Sequence, residues 1–253
     1  MSVRYKLTIE YDGGPFMGWQ RLANLPSVQG ALEDAVQKFC GVRADVVGAG
    51  RTDSGVHARG HVAHVDLPQA YEPHVVRNAL NAHLRPAPVS VMEAEIAAPE
   101  FHARFDAIAR TYHYRVLNRR ADPALDAGRV FWVSRPLDLD AMRAGAAHLI
   151  GAHDFTTFRD ALCQAKSPLK TLDVADVHAD GAEFRLVFKA RSFLHRQVRS
   201  MVGTLVSVGA GKMAPQGVAD ALAACDRARC GPVAPAHGLY LMRVDYAAGG
   251  AAK

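Results

Sequence analysis

The chain has 253 residues, of which 49% are hydrophobic and 22% charged, an ordinary composition for a globular protein of one large domain or two small ones. No apolar run reaches the roughly 18 residues of a membrane span, and Met1 to Glu10 alternates charged with apolar residues, so we expect a cytoplasmic protein that has no membrane partner. The formal charge of +5 favours nucleic acid only slightly, and Cys40, Cys163, Cys225 and Cys230 form no CxxC pair, which predicts free thiols.

The first part of the chain mixes strand and helix signals. Val3 to Tyr11 is apolar at every second position, which predicts a half-buried strand. Ser27 is a suitable N-cap, and Gly41 a suitable C-terminal stop, for a helix between them. The next predicted elements are a glycine-broken loop from Gly48 to Gly60, a short strand through Val62, His64 and Val65, a helix from Glu72 to Leu84 and a strand from Val89 to Ile96.

The second part repeats this mixture. Its predicted elements are a strand from Thr111 to Leu117, a helix from Asp138 to Ile150, a strand from Glu183 to Ala190, helices from about Ser192 to Val208 and from Pro215 to near Cys225, and a strand from Leu239 to Tyr246. Strands with one apolar face favour an α+β fold with a mainly antiparallel sheet over a doubly wound parallel sheet. We place the boundary between two halves near residue 103, so that the predicted domains are 1–103 and 104–253.

The most unusual segment runs from Gly48 to Ala58. A dinucleotide-binding GxGxxG pattern would need glycine at position 53, and a P-loop would need Gly-Lys-Ser/Thr; the chain has neither. Asp53 instead lies on a glycine-flanked loop two residues from Arg51, where a carboxylate could act as a nucleophile or a base. A turn aspartate that caps its own backbone is the alternative.

Three histidines follow in the spacing H-x3-H-x2-H. His57 and His61 would suit zinc if they lay on a helix. Gly60 and the alternation after it indicate loop and strand, where His61 and His64 face opposite sides. A metal-dependent hydrolase is therefore one alternative function. A non-catalytic RNA-binding protein, in which Asp53 is only a turn residue, is another.

Basic and aromatic residues are interleaved in two segments, Phe101 to Phe105 and Arg110 to Tyr114. Such a pattern suits RNA, because arginine binds phosphate and aromatic rings stack on unpaired bases. Tyr114 is predicted as core, whereas Tyr112 could be core or contact. Arginine outnumbers lysine 23 to 7, which fits RNA binding but also a GC-rich genome.

The predicted helix that starts near Ser192 places His195 and Arg199 four residues apart, beside a stripe of Leu194, Val198, Met201 and Leu205. An arginine beside an apolar stripe needs a partner, for which Asp53 is a candidate. The alternative is an ordinary surface arginine.

One central segment and seven others, in the family's order along the chain, resemble the tRNA pseudouridine synthase A family, which modifies positions 38, 39 and 40 of the anticodon stem-loop. The central match is Gly50-Arg51-Thr52-Asp53-Ser54-Gly55-Val56-His57-Ala58. The others are Glu10-Tyr11-Asp12-Gly13 with Gly18-Trp19-Gln20-Arg21, Ser27-Val28-Gln29, Phe101-His102-Ala103-Arg104-Phe105, Tyr112-His113-Tyr114, His153-Asp154-Phe155-Thr156, Phe193-Leu194-His195-Arg196-Gln197-Val198-Arg199 and Gly238-Leu239-Tyr240-Leu241.

The resemblance implies a role for each matched position. Asp53 would be the catalytic aspartate, Arg51 would hold the target nucleotide out of its stack, and Tyr112 would stack on the flipped uracil. Arg199 would pair with Asp53, and Leu239 and Leu241 would line the uracil pocket. The residues implied in RNA binding are Phe101, His102, Ala103, Arg104, Phe105, Arg120, Leu162, Cys163, Gln164, Ala165 and Lys166.

The resemblance also implies a fold of two similar α+β halves with an extended mixed, mainly antiparallel sheet, no cofactor, no metal, and a homodimer in which each tRNA contacts both subunits. Two residues depart from the family pattern. Ser54 stands where alanine is commoner, and Lys166 stands where arginine is expected in the tRNA-contact loop.

Overall fold

The computed structural model describes residues 2–247. The strands are Val3–Tyr11 (β1), Val47–Gly48 (β2), His57–Leu67 (β3), Val89–Ile96 (β4), Ala107–Asn118 (β5), Phe131–Val133 (β6), Gly151–Asp154 (β7), Leu169–Asp180 (β8), Glu183–Ala190 (β9) and Leu239–Tyr246 (β10). The α-helices are Val28–Cys40 (α1), Pro73–Leu84 (α2), Leu139–Ala147 (α3), Gln197–Gly209 (α4) and Gln216–Ala224 (α5). No helix within 2–247 is long and apolar enough to cross a membrane.

The chain divides into two compact units. One runs to Ala109 and takes in the chain again from Leu241, and the other is Arg110–Tyr240. The division into 1–103 and 104–253 stays a prediction. The predicted α+β class is confirmed: β6 runs parallel to β5, and the pairs β1–β3, β1–β4, β5–β9 and β8–β9 are antiparallel.

In the first unit β1 lies between β3 and β4. Its alternation is confirmed, because Tyr5, Leu7 and Ile9 are fully buried. The caps of α1 are also as predicted: the Ser27 side chain accepts a hydrogen bond from the Gly30 N–H, and Gly41 takes the left-handed conformation, with φ of 74°. These signals act within a few residues, which is why they are legible in the sequence.

The predicted loop from Gly48 to Gly60 is too long, because β3 already begins at His57. Gly60 lies inside the strand. A Cβ atom there would lie 2.4 Å from the carbonyl oxygen of Met242 in β10. This glycine therefore marks the close approach of a neighbouring strand and not a break in the chain.

In the second unit the strand order is β5, β9, β8, β7, and α3 packs against α4, α5 and β8. Tyr114 and Phe188 are fully buried, as predicted for the apolar faces of β5 and β9. The long strand β8 was not predicted. Its register shifts between Leu172 and Val174, and such a bulge interrupts the alternation by which a strand is recognised.

Two predicted helix ends are wrong. The helix predicted from about Ser192 begins at Gln197, because Arg196 has a left-handed backbone with φ of 57°, which no α-helix accommodates. His195 and Arg199 therefore do not share a helix face. The helix predicted to reach Ile150 ends at Ala147. The four cysteines are free thiols, as predicted.

Candidate functional site

Asp53 lies in the connection between β2 and β3, where its side chain is partly exposed. The backbone carbonyl of Asp53 accepts a hydrogen bond from the Val56 N–H at 3.1 Å, and Gly55 closes this turn with φ of 78°. The neighbouring Thr52 is buried, and its Oγ1 lies 2.9 Å from the buried hydroxyl of Tyr11. The loop thus presents Asp53 outward while the residue before it is fixed in the core.

The segment before α1 supports this loop from a second side. The Trp19 N–H donates to the Thr52 carbonyl at 3.0 Å. Gly18 has φ of 103°, and a Cβ atom there would lie 2.7 Å from the same carbonyl oxygen. The Ser54 hydroxyl donates to the Phe16 carbonyl at 3.2 Å, a contact that the commoner alanine cannot make. Sequence reasoning noted Gly18 and Trp19 only as motif residues, because nothing local shows which loop they contact.

A buried ring pair supports the loop from a third side. Trp19 stacks on His61 with ring centroids 3.9 Å apart and 22° between the planes. His61 is fully buried, and its Nε2 lies 3.1 Å from the Gly50 carbonyl oxygen. A Cβ atom at Gly48 would lie 2.6 Å from the Trp19 ring, so glycine at this position admits the indole.

His57 fixes the C-terminal end of the loop. It is buried, and its Nδ1 accepts from the Gly13 N–H at 3.1 Å and lies 3.1 Å from Asp12 Oδ1. A Cβ atom at Gly13 would lie 2.0 Å from the Val56 carbonyl oxygen. The Asp12-Gly13 turn is therefore packed directly against the end of the loop.

The structure gives the metal alternative no support. His57 contacts the Gly13 turn, His61 stacks on Trp19, and His64 Nδ1 accepts from the Ala103 N–H at 3.2 Å. Within residues 2–247 no group of three or more His, Cys, Asp and Glu side chains is arranged to hold a metal ion.

The Phe101–Phe105 segment is held by its backbone and presents two side chains. The Phe101 carbonyl accepts from the Arg4 guanidinium at 2.8 Å, and the Ala103 carbonyl accepts from the Tyr246 hydroxyl at 2.7 Å. Ala103 is fully buried, whereas Phe105 is 70% exposed. The Arg104 guanidinium lies 5.8 Å from the Phe105 ring centroid. The side chains offered to a ligand are therefore those of Arg104 and Phe105.

His64 and His102 lie behind this segment, with ring centroids 4.9 Å apart. Burial, followed by the charges of Arg4 and His102, lowers the pKa of His64 to about 4. His102 Nδ1 accepts from the Arg104 and Phe105 N–H groups at 3.2 and 3.3 Å. His64 and His102 therefore stabilise the backbone that presents Arg104 and Phe105.

In the second unit Tyr112 is half-buried, and its ring meets Phe193 edge-on at 5.2 Å. Tyr114, two residues on, is fully buried and donates its hydroxyl to the Pro235 carbonyl at 2.7 Å. Burial raises the pKa of Tyr114, against the opposing charge of Arg199. Tyr114 is a core residue, as predicted. Half-burial of Tyr112 is compatible both with a core residue and with a residue that contacts RNA.

Arg199 lies in the first turn of α4, where its Nε donates to the Ala234 carbonyl at 2.8 Å. The Ala234 N–H donates back to the Arg199 carbonyl at 3.0 Å, so this residue is fixed at both its backbone and its side chain. Leu239 and Leu241, at the start of β10, are 6% and 1% exposed.

The remaining implied RNA contacts are on loops. Arg120 is exposed between β5 and β6. In the segment from Leu162 to Lys166, Leu162, Gln164 and Lys166 are exposed, and Cys163 and Ala165 are partly buried. The Arg159 guanidinium donates to the carbonyls of Cys163 and Ala165 at 2.7 and 2.8 Å. Sequence reasoning missed Arg159, because the partners of a guanidinium cannot be deduced from its neighbours in the chain.

Comparison with known proteins agrees on one family. A family model described as tRNA pseudouridine synthase matches residues 7–106 and 146–247. Curated proteins named tRNA pseudouridine synthase A are similar over 243 residues, 96% of this chain. That of Bradyrhizobium sp. is 61% identical and covered over 99% of its length, that of Caulobacter vibrioides is 60% identical and covered over 98%, and that of Rhodopseudomonas palustris is 59% identical and covered over 99%.

Proposed function

Since the chain belongs to the tRNA pseudouridine synthase family, we propose that it isomerises uridines at positions 38, 39 and 40 of the anticodon stem-loop. Asp53 is the proposed essential carboxylate. The observation that supports the role of Asp53 is the loop geometry. Contacts from Tyr11, Trp19 and His57 hold the loop, while Asp53 itself remains partly exposed. A reacting group needs this combination of fixed position and access.

The reaction breaks the N1–C1′ bond of uridine, turns the uracil and joins its C5 to C1′; C5 then loses its proton and N1 gains one. The base lies in an RNA stem and must first leave its stack, which costs about a few kcal/mol. A carboxylate at position 53 would then add to C6 of the uracil or act at C1′. Both routes remain compatible with an aspartate that is fixed and partly exposed.

The other roles follow from the resemblance. Arg51, which is exposed beside Asp53, would hold the target nucleotide out of the stem. Tyr112 would stack on the flipped uracil, Arg199 would pair with Asp53, and Leu239 and Leu241 would wall the uracil. The fixed guanidinium of Arg199 suits such pairing, because a group held at both ends loses little conformational entropy when it forms an ion pair.

The tRNA is the proposed partner of Arg104 and Phe105, of Arg120, and of the segment from Leu162 to Lys166. An exposed guanidinium beside an exposed ring suits RNA, since the first binds phosphate and the second stacks on a base. We propose further that the enzyme works in the cytoplasm as a homodimer. Sedimentation analysis at micromolar concentration tests the dimer, and a monomer that is fully active would contradict it.

The decisive experiment incubates purified protein with an unmodified tRNA transcript and maps pseudouridine at single-nucleotide resolution. The expected result is modification at 38, 39 and 40, and its loss position by position when each uridine is replaced by cytidine. Asp53→Asn is nearly isosteric but cannot attack or accept a proton, so it should retain folding and tRNA affinity and form no pseudouridine.

The outcomes separate the alternatives. Activity of Asp53→Asn within about tenfold of wild type, equivalent to about 1.4 kcal/mol of barrier, would contradict the role of Asp53. A wild-type protein that binds tRNA without forming pseudouridine would be a non-catalytic RNA-binding protein. Modification at other tRNA positions would keep the family activity and overturn the anticodon assignment.

A further inference from the structure

An aspartate beside the proposed tRNA-contact loop joins that loop to the turn before α4. Asp160 comes two residues before Leu162, and its side chain is only 12% exposed. Its Oδ2 accepts from the Arg196 guanidinium at 3.0 Å, and its Oδ1 lies 3.5 Å from His195 Nδ1. The same Oδ1 accepts from the Leu162 N–H at 2.9 Å. One carboxylate therefore contacts two consecutive residues of the turn and the backbone of the loop.

Backbone hydrogen bonds also join the loop to the turn before α4. The Asp160 N–H donates to the His195 carbonyl at 3.1 Å, and the Cys163 N–H donates to the Asp160 carbonyl at 3.0 Å. In the opposite direction, the His195 N–H donates to the Cys163 sulfur at 3.4 Å. The loop and the turn are thus hydrogen-bonded on both sides of the carboxylate.

The turn adopts a conformation that needs such support. Arg196 is one of few residues other than glycine with positive φ, and it is the residue immediately before α4. Side chains with a Cβ rarely take this conformation unless the surroundings hold it. Its carbonyl accepts from the Ser200 N–H at 2.9 Å in the first turn of α4. The backbone conformation of Arg196 therefore marks where the helix starts, three residues before Arg199.

The charge of Asp160 also indicates its role. A carboxylate beside bound RNA would repel phosphate unless it were neutralised. Burial opposes the ionised form of Asp160, but the Leu162 N–H and the charges of Arg196 and His195 outweigh it and lower the pKa of this carboxyl. The carboxylate is thus ionised and compensated by the Arg196 guanidinium of its own chain, as expected of a group that organises the site rather than one that contacts RNA.

We propose that Asp160 is a positioning residue: it couples the 162–166 loop to the turn at His195 and Arg196, so that the placement of Arg199 depends on the placement of the loop. The inference rests on the proposed function, in which the loop contacts tRNA and Arg199 acts at Asp53. Loss of the coupling would therefore displace Arg199 even when tRNA is bound. We expect it to lower the turnover of bound tRNA and not only the affinity for tRNA.

The test compares Asp160→Asn with Asp140→Asn. Asp140 also pairs with an arginine, at 3.1 Å, but it is 90% exposed and lies on α3. We expect Asp160→Asn to lower kcat at saturating tRNA about tenfold or more, which is about 1.4 kcal/mol of barrier, while Asp140→Asn leaves it unchanged. Melting temperatures of both variants are measured in parallel, and kcat is read at a temperature well below either transition.

A second readout does not need enzymatic activity. Cys163 is partly buried and its sulfur accepts from His195, so its rate of alkylation by iodoacetamide reports how firmly the loop is held. Peptide mass mapping distinguishes Cys163 from the other three cysteines. Asp160→Asn should raise the alkylation rate of Cys163 severalfold and leave that of Cys40, in the other unit, unchanged.

The outcomes are distinct. The proposal is overturned if kcat of Asp160→Asn stays within about twofold of wild type, if only KM changes, or if Cys163 reacts at the wild-type rate. If Asp160→Asn does not fold, Arg196→Gln removes the same ion pair, retains the Leu162 hydrogen bond and is judged by the same readouts. If the wild-type protein forms no pseudouridine, the proposed function has failed, and alkylation of Cys163 still decides whether Asp160 holds the loop to the turn.

Discussion

The indole ring of Trp19 stacks on the imidazole ring of His61, and His61 Nε2 in turn lies 3.1 Å from the carbonyl oxygen of Gly50. Since a carbonyl oxygen only accepts, Nε2 is the nitrogen that bears the hydrogen. This hydrogen bond thereby fixes the tautomer of His61 and holds the carbonyl that immediately precedes Arg51. Both rings are buried, and they contact the proposed catalytic loop from the interior.

We expect His61→Leu to fold and to lose activity. Leucine preserves apolar volume beside Trp19, but it leaves the Gly50 carbonyl without its donor, at a cost of about 1–3 kcal/mol. Because the loop that carries Asp53 is then held less firmly, we expect kcat to fall about tenfold, with little change in the Kd for tRNA. The control is His178→Leu, an equal exchange at an exposed position on β8. A His61→Leu enzyme with wild-type kcat would show that the stack serves stability alone.

Tyr112→Phe should retain tRNA binding and lower activity, and Tyr112→Ala should lower it further. The ring is proposed to stack on the flipped uracil, a contact worth about 1–3 kcal/mol per base. The hydroxyl is proposed to assist proton removal from C5, which only the phenylalanine variant tests. The core alternative makes the opposite forecast. If Tyr112→Ala lowers stability by about 3–5 kcal/mol, as for a buried aromatic, and Tyr112→Phe is fully active, then Tyr112 is a core residue of β5.

Tyr114→Phe is the matched control for these variants. It removes, from a fully buried ring, the hydroxyl that donates to the Pro235 carbonyl at 2.7 Å. It should cost about 1 kcal/mol of stability and leave the chemistry unaffected. Thermal melting and single-turnover rates on the same preparations compare the two positions directly.

Binding of tRNA should weaken steeply with salt, because arginine contacts to phosphate release counterions. Arg104→Ala should reduce the slope of log K against log salt by about 1, as for one lost phosphate contact. Phe105→Ala should weaken binding at every salt concentration without changing the slope, since stacking on a base releases no counterion. A Kd that is unchanged between roughly 50 and 200 mM salt would contradict the arginine-led interface.

His64 should make the first unit sensitive to acid. Its pKa is about 4 in the folded protein, against roughly 6.5 in an unfolded chain. Between these pH values the unfolded state binds a proton that the folded state does not. The contribution of His64 to the free energy of unfolding is therefore fully present above pH 6.5, and it is lost as the pH falls toward 4.

The comparison that tests this is urea unfolding of wild type and His64→Gln at pH 7 and pH 5. Glutamine can still accept from the Ala103 N–H but does not titrate. The loss of unfolding free energy between the two pH values should be about 2 kcal/mol larger for wild type than for the variant. Equal losses would mean that His64 titrates alike in the folded and unfolded states.

Much of the fold can be predicted from the sequence, because the residues that specify each strand or helix lie close together in the chain. The alternation of Val3 to Tyr11 and the caps at Ser27 and Gly41 predict β1 and α1 to the residue. In the same way, the glycine-flanked position of Asp53 and its surrounding motif indicate the family, since the loop residues are contiguous. Each of these signals depends on residues within a few positions of one another.

Only the tertiary structure decided the rest. Gly60 is predicted as a loop residue, but it lies in β3 beside Met242, which comes from the far end of the chain. The bulge in β8 depends on its pairing with β9, and Arg196 takes its left-handed backbone next to Asp160, which is 36 residues away. Likewise, the sequence left a metal site as one alternative for His61, whereas in the fold His61 stacks on Trp19. Contacts between residues distant in sequence leave no periodic or local trace, because the energy that selects them arises only when the chain has folded.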